Sequence, residues 1–239
     1  MPPSSGSHEF SSGIHHVDGP VVADEEQLPR DPMEALDKLT QLNGSSPSAS
    51  AHACGAISLV GAMLATAGYT GLVDLAERIA DELDDEKRIE LTRLAQVITG
   101  GGPDATYGAL ADYAILLYRR YRGMDGGMEY RKLLHLMQRA GFTAPHLPND
   151  DDLARTLSRK GECWPAKISI FGDQGDHWIL VGRDARGLFI FDPYPREDGS
   201  QLIRPGEADW KRYVEAIGKD EAGRNTIGFL PAVSSSDGA

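Results

Sequence analysis

The stretch that most constrains this chain is Ala53-Cys54-Gly55-Ala56-Ile57-Ser58-Leu59-Val60-Gly61-Ala62-Met63-Leu64, where a serine-rich lead-in stops and an apolar run begins with a cysteine. Ile57, Val60, Gly61 and Leu64 recur at i, i+3, i+4 and i+7, the period of one helix face, and Gly68 supplies the stop. The first turn of such a helix carries unsatisfied N–H groups and the positive end of the macrodipole. A thiol placed there is expected to have a lowered pKa and a larger thiolate fraction, as a nucleophile requires. Gly55 would leave room for a second group to approach the sulfur. A structural cysteine buried in a core helix is the competing reading of the same residues.

Before this stretch, residues 1–49 read as a disordered acidic, Ser-rich tail. Eight acidic residues stand against two basic ones there, so half of the net charge of −12 lies in about a fifth of the chain. Low hydrophobicity with excess charge does not offset the entropy of ordering. Within the tail, Met33 to Leu39 has the pattern of a short helix able to pack on the domain. His15-His16 reads as incidental rather than as a metal site.

From Cys54 to about Lys160 the pattern is helical. Leu72, Leu75, Ala76, Ile79 and Leu83 mark a second helix, and Ile89, Leu91, Leu94, Ala95 and Ile98 a third. Gly100-Gly101-Gly102-Pro103 breaks the run, with Asp104 as an N-cap for the next helix, which carries Leu110, Ala114, Leu117, Tyr118 and Tyr121. The glycines lack the Gly-Lys-Ser/Thr of a phosphate cradle and read as a loop. A further helix carries Tyr130, Leu133, Leu134 and Met137 up to Gly141, and Asn149 to Arg159 reads as a short one. Tyr107, Tyr113, Tyr118, Tyr121 and Tyr130 read as packing residues rather than a base-stacking platform.

The period then changes to that of strands, at Cys163–Phe171, His177–Gly182, Leu188–Asp192 and Asn225–Leu230, with a short helix at Glu207–Ile217. Helices first and antiparallel strands after is an α+β arrangement, expected as one domain over 50–232 with a disordered end at 233–239.

Composition excludes several classes. The acidic balance argues against nucleic-acid binding, and no apolar run is long enough to span a membrane. Two cysteines, Cys54 and Cys163, provide neither a disulfide framework nor zinc-ligand spacing; Cys163 reads as packing beside Trp164. No metal and no cofactor is expected. The N-terminus has no basic start and no apolar core, so it is no secretory signal. The default is a cytoplasmic protein, with export by a route that reads no such signal left open.

The second informative stretch is the hairpin from His177 to Asp192. With its turn centred between Asp184 and Ala185, His177 faces Asp192 across the two strands, where Cβ atoms lie about 5 Å apart. A carboxylate there can accept a proton from the imidazole, fix its tautomer and stabilise its charged form. A lone cysteine with a distant histidine and acid is a thiol-nucleophile arrangement.

Cys54-Gly55-Ala56-Ile57-Ser58-Leu59, Gly175-Asp176-His177-Trp178-Ile179-Leu180-Val181-Gly182 and Asp192-Pro193-Tyr194, in this order, resemble the papain-like superfamily of cysteine peptidases. The likeness is greatest to the bacterial branch related to the peptidase domains that trim double-glycine leaders from bacteriocin precursors. It covers roughly residues 50–232 and implies a papain-like fold, with an N-terminal helical lobe followed by an antiparallel β-sheet lobe. It further implies Cys54 as nucleophile, His177 as general base and then acid, and Asp192 as the orienting group. An acyl-enzyme would form on Cys54, its oxyanion held by the Cys54 N–H and a side-chain donor. The family has a Gln about six residues before the cysteine, where this chain has Ser48. Gln41, Asn43 and Ser48, with Ser50 and His52, are the candidates for that donor.

The expected activity is that of a thiol hydrolase acting on a peptide or isopeptide bond. A papain-fold deamidase or acyltransferase toxin, and a catalytically silent papain-like binding module, are the alternatives. A protein or peptide substrate is the expected partner, with an inhibitor or immunity protein as a further one. The acidic tail would suit a bacterial effector or toxin delivered into another cell, or a removable propart.

Overall fold

The computed structural model describes residues 26–41, 43, 52–123, 128–143, 163–168, 177–196, 199–216 and 230–231. The expected helix at 149–159, the parts of the strand readings at 169–171 and 225–229, and both outer tails lie outside these residues. The architecture is α+β, with helices preceding an antiparallel sheet.

At its centre is α2, Cys54–Ala67, in which every residue from Gly55 to Leu64 is buried. A helix apolar on all sides is stable only with neighbours on all sides, and the rest of the fold supplies them. α2 meets α1 (Pro32–Lys38), α3 (Thr70–Arg78), α5 (Tyr107–Tyr121) and the sheet. α4 (Asp85–Gly100) packs on α3 and α5, and α6 (Tyr130–Arg139) closes the helical part against α2.

The caps follow from local chemistry. Asp31 accepts from the Met33 N–H at the start of α1, and Asp84 accepts from the Lys87 N–H at the start of α4. α2 ends at Gly68 (φ 65°) and α4 before Gly101 (φ 63°), both in a region that costs glycine little. The expected N-cap Asp104 is displaced by Thr106, which stands immediately before α5 and accepts from the Ala109 N–H. The expected second helix stops at Arg78 and continues only as a 3-10 turn over Ala80–Glu82. Ile89, assigned to the apolar face of α4, is 64 % exposed, because Leu91, Leu94, Ala95 and Ile98 set that face.

The largest correction concerns residues 26–41, expected as disordered tail. Leu36 and Leu39 are completely buried, in line with the short packing helix read at 33–39. Leu28 N–H donates to the Ala105 carbonyl, Gln41 N–H to Pro193 and Gln201 N–H to Asp37. The segment therefore straps the helical part to the sheet, and ordering starts well before residue 50. Charge counting missed it because a few apolar residues that meet a preformed core offset the entropy of one short helix.

The main sheet has β2 (Cys163–Ile168), β3 (His177–Asp184), β4 (Gly187–Phe191) and β5 (Leu202–Ile203) in sequence order, all antiparallel. The closing strand does not join it: β6 (Leu230–Pro231) pairs with β1 (Phe142–Thr143). The β3–β4 register differs from the expected one. Asp184 pairs with Gly187 and Leu180 with Phe191, so the turn is Ala185-Arg186. Gly187 takes φ 114°, and Asp184 Oδ1 accepts from the Arg186 N–H. In this register Asp192 stands opposite Ile179, with His177 on the diagonal two residues away. An offset of two keeps both side chains on the same face, where an offset of one would have separated them.

Gly61 allows α2 to approach both α1 and the sheet. A Cβ built there would lie 2.9 Å from Leu36 Cδ1 and 3.2 Å from the Phe191 ring. Gly61→Val is expected to destabilise the fold by about 1–3 kcal/mol through overpacking, read as a lowered urea midpoint. An unchanged midpoint would contradict this close packing.

Candidate active site

Cys54 is the first residue of α2, as expected, and its thiol is free and partly exposed. Ala53 before it is buried and provides no capping side chain. The N–H groups of the first turn have no partner within the helix, so they point toward whatever occupies the space before Cys54. The room at Gly55 is used differently from the expectation. A Cβ there would meet Met128 Cβ at 3.0 Å and Trp178 Cδ1 at 3.2 Å, so the glycine admits protein side chains. Gly55 sets how closely α2 and β3 approach.

Trp178 joins the two halves of the site. Its indole N–H donates to the Met128 carbonyl at 3.1 Å, and its own carbonyl accepts from the buried Ser58 hydroxyl at 3.2 Å. Ser58 lies one helical turn after Cys54, and Trp178 directly follows His177. That bond therefore holds the helix carrying the thiol against the strand carrying the imidazole.

His177 Nε2 donates to Asp192 Oδ1 at 2.6 Å. The Cys54 side chain is near enough to the imidazole to raise its proton affinity, and with Nε2 committed to the carboxylate, Nδ1 is the nitrogen left for another partner. Burial disfavours the charged ring, but the interactions with Asp192 and Cys54 outweigh it, and the pKa is raised from 6.5 to about 10. The Tyr194 ring stands edge-on to His177, with centroids 6.5 Å apart.

Asp192 is 2 % exposed and is held from several directions. Its N–H donates to the Gln201 carbonyl at 3.0 Å, and Oδ1 accepts from the Tyr194 N–H at 2.8 Å. Oδ2 accepts from the Tyr213 hydroxyl of α7 (Trp210–Ala216). With its amide nitrogen turned inward, Gln201 donates to the Asp192 and Tyr194 carbonyls at 3.0 and 2.8 Å. The Asp-Pro-Tyr turn is thus fixed by the protein around it.

The three residues named from the sequence, Cys54, His177 and Asp192, are therefore brought together. The oxyanion candidates separate. Gln41 is buried, and its N–H donates to the Pro193 carbonyl at 2.8 Å, which places it beside the residue that follows Asp192. Asn43 uses Oδ1 to accept from the Thr40 N–H and hydroxyl. Ser48 and Ser50 lie outside the described residues, and His52 is exposed. Sequence reading missed Tyr213 and Gln201, whose partners are supplied by other elements. It found Ser58 only as a motif letter, without its bond to Trp178. Among the described residues no group of acidic, histidine or cysteine side chains could hold a metal ion, and no helix is long and apolar enough to cross a membrane.

This chain matches no protein-family model, no curated protein and no solved structure.

Because the folded-state pKa of His177 lies above 6.5, its contribution to stability is complete below about pH 6.5. That contribution is lost as pH rises through about 10. NMR of the imidazole nitrogens is expected to place the titration midpoint near 10, and Asp192→Asn to bring it down. A midpoint near 6.5 in the unaltered protein would contradict the charge-stabilised geometry.

Proposed function

We propose that this protein is a thiol hydrolase of papain-like design that cleaves a peptide or isopeptide bond through Cys54, His177 and Asp192. The single observation that carries this reading is His177, whose Nε2 bonds a buried carboxylate while a cysteine at a helix N-terminus interacts with the same ring. A structural cysteine has no need of that arrangement. A nucleophile does, because a neighbouring imidazolium and a helix N-terminus both favour the thiolate.

In this mechanism Cys54 Sγ attacks the carbonyl carbon and the C–N bond of the tetrahedral intermediate breaks. His177 gives its proton to the departing amine, leaving an acyl group on the sulfur. Neutral His177 then takes a proton from water, the hydroxide adds to the thioester, and the acid departs as Cys54 and His177 recover their shared proton. Asp192 holds the ring orientation throughout and stabilises its charged form. The Cys54 N–H is one oxyanion donor, and Gln41 is the candidate for the second, its main-chain N–H bonding the Pro193 carbonyl next to Asp192. A papain-like lobe arrangement is supported by the order of elements, with the nucleophile on a central helix and the base and acid on an antiparallel sheet.

Iodoacetamide near neutral pH is expected to label Cys54 ahead of Cys163, and His177→Ala to remove that preference. Equal, slow labelling of both thiols would overturn the activated nucleophile. Incubation with a peptide library followed by mass spectrometry is expected to show cleaved products that vanish with Cys54→Ala. A one-dalton gain without cleavage would reassign the same site to deamidation. Gln41→Ala is expected to lower the cleavage rate by about 10²–10³, the scale of one oxyanion donor. An unchanged rate would remove Gln41 from that role.

A further inference from the structure

We propose that Tyr213 is the positioning residue of the triad acid, its hydroxyl setting the rotation of the Asp192 carboxylate so that Oδ1 is presented to His177. This inference rests on the Cys54–His177–Asp192 reading and adds a residue outside it.

The rotation of an aspartate carboxylate about its last side-chain bond is soft and roughly two-fold. Nothing intrinsic to Asp192 decides which oxygen meets the imidazole. Two donors, His177 Nε2 and the Tyr194 N–H, converge on Oδ1 at 2.6 and 2.8 Å. At 2 % exposure Oδ2 also needs a donor, and among the described residues the donor shown is the Tyr213 hydroxyl. Burial and the Asp192 charge hold the phenol well above its ordinary pKa, so it stays a neutral donor.

The tyrosine is itself anchored before it reaches the carboxylate. Its N–H donates to the Asp209 carbonyl at 3.1 Å, in the first turn of α7. Arg196 donates to the Asp209 carboxylate at 3.3 Å and to the Ser200 carbonyl at 3.2 Å. The loop after Asp192 and the start of α7 are thus one braced unit, and the hydroxyl arrives at Oδ2 with its position already fixed. Without it, Oδ2 would draw the carboxylate around toward the donors now on Oδ1, weakening the bond to His177.

The test is an imidazole-nitrogen NMR titration of the full chain as wild type, Tyr213→Phe, Asp192→Asn and the double variant, alongside iodoacetamide labelling of Cys54. Phenylalanine keeps the ring in its packing, so the fold is expected to persist, as checked by near-UV circular dichroism. Tyr213→Phe is expected to lower the proton affinity of His177 by about tenfold, the scale of one hydrogen bond to a charged group, and to slow Cys54 labelling several-fold. In the Asp192→Asn background the same change should add nothing, since the hydroxyl acts through the carboxylate. An unmoved or raised midpoint in Tyr213→Phe, or an equal shift in both backgrounds, overturns the proposal. Cys54 labelling that is indifferent to His177→Ala overturns the triad reading and the proposal with it. Labelling that depends on His177, with an unmoved midpoint in Tyr213→Phe, overturns Tyr213 alone.

Discussion

The close docking of α2 on the sheet is the constraint on which the rest of the molecule depends. It is made possible by the missing side chains at Gly55 and Gly61, which let Trp178, Met128, Leu36 and Phe191 approach the helix axis. The buried hydrogen bond from Ser58 to the Trp178 carbonyl then fixes how the two pieces sit. Hydrophobic burial is non-directional and would allow the helix to slide or turn on the sheet. A buried hydroxyl and a buried carbonyl that satisfy each other do not, because displacement leaves both unpaired at a cost of about 1–3 kcal/mol each.

With that contact in place, the position of the thiol relative to the imidazole follows. Cys54 is one turn before Ser58, and His177 is one residue before Trp178. The acid is supplied from the next strand, and its surroundings come from three further elements: the Tyr194 turn, Gln201 before β5, and α7. The strap at residues 26–41 reaches the same region from the helical side through Asp37 and Gln41. Asp37 Oδ1 accepts from the Ser200 hydroxyl and the Leu202 N–H at 2.6 and 3.2 Å, so the turn following Asp192 is held from both ends. A buried carboxylate is tolerable only where such donors are already oriented.

Much of the helical part was legible in the chain because its signals are local. The period of α2, the stop at Gly68 and the helix at Tyr130–Arg139 need no knowledge of their neighbours. Failures occurred where a neighbour decides. Thr106 rather than Asp104 caps α5, because the cap position depends on where the helix begins. Ile89 has the period of a core residue, but the face of α4 is set by what it packs on. The hairpin turn lies one residue beyond the position its sequence predicts, yet the parity is unchanged, which is why His177 and Asp192 still meet. The strap has the composition of a tail, and the core that receives it is assembled from residues far along the chain.

The sequence by itself determined that a cysteine starts an apolar helix, that strands follow helices, and that a histidine and an aspartate share one face of a hairpin. These are consequences of backbone period and turn chemistry, which act over a few residues. Only the tertiary structure decided that the histidine lies beside the cysteine, that its surroundings raise its pKa, and that Tyr213 and Gln201 surround Asp192. It also decided that Gln41, rather than Asn43, lies beside the Asp192-Pro193 turn. These contacts join positions from nine residues apart, Asp192 to Gln201, to more than a hundred, Gln41 to Pro193, and their geometry is set by how whole elements pack rather than by any local pattern.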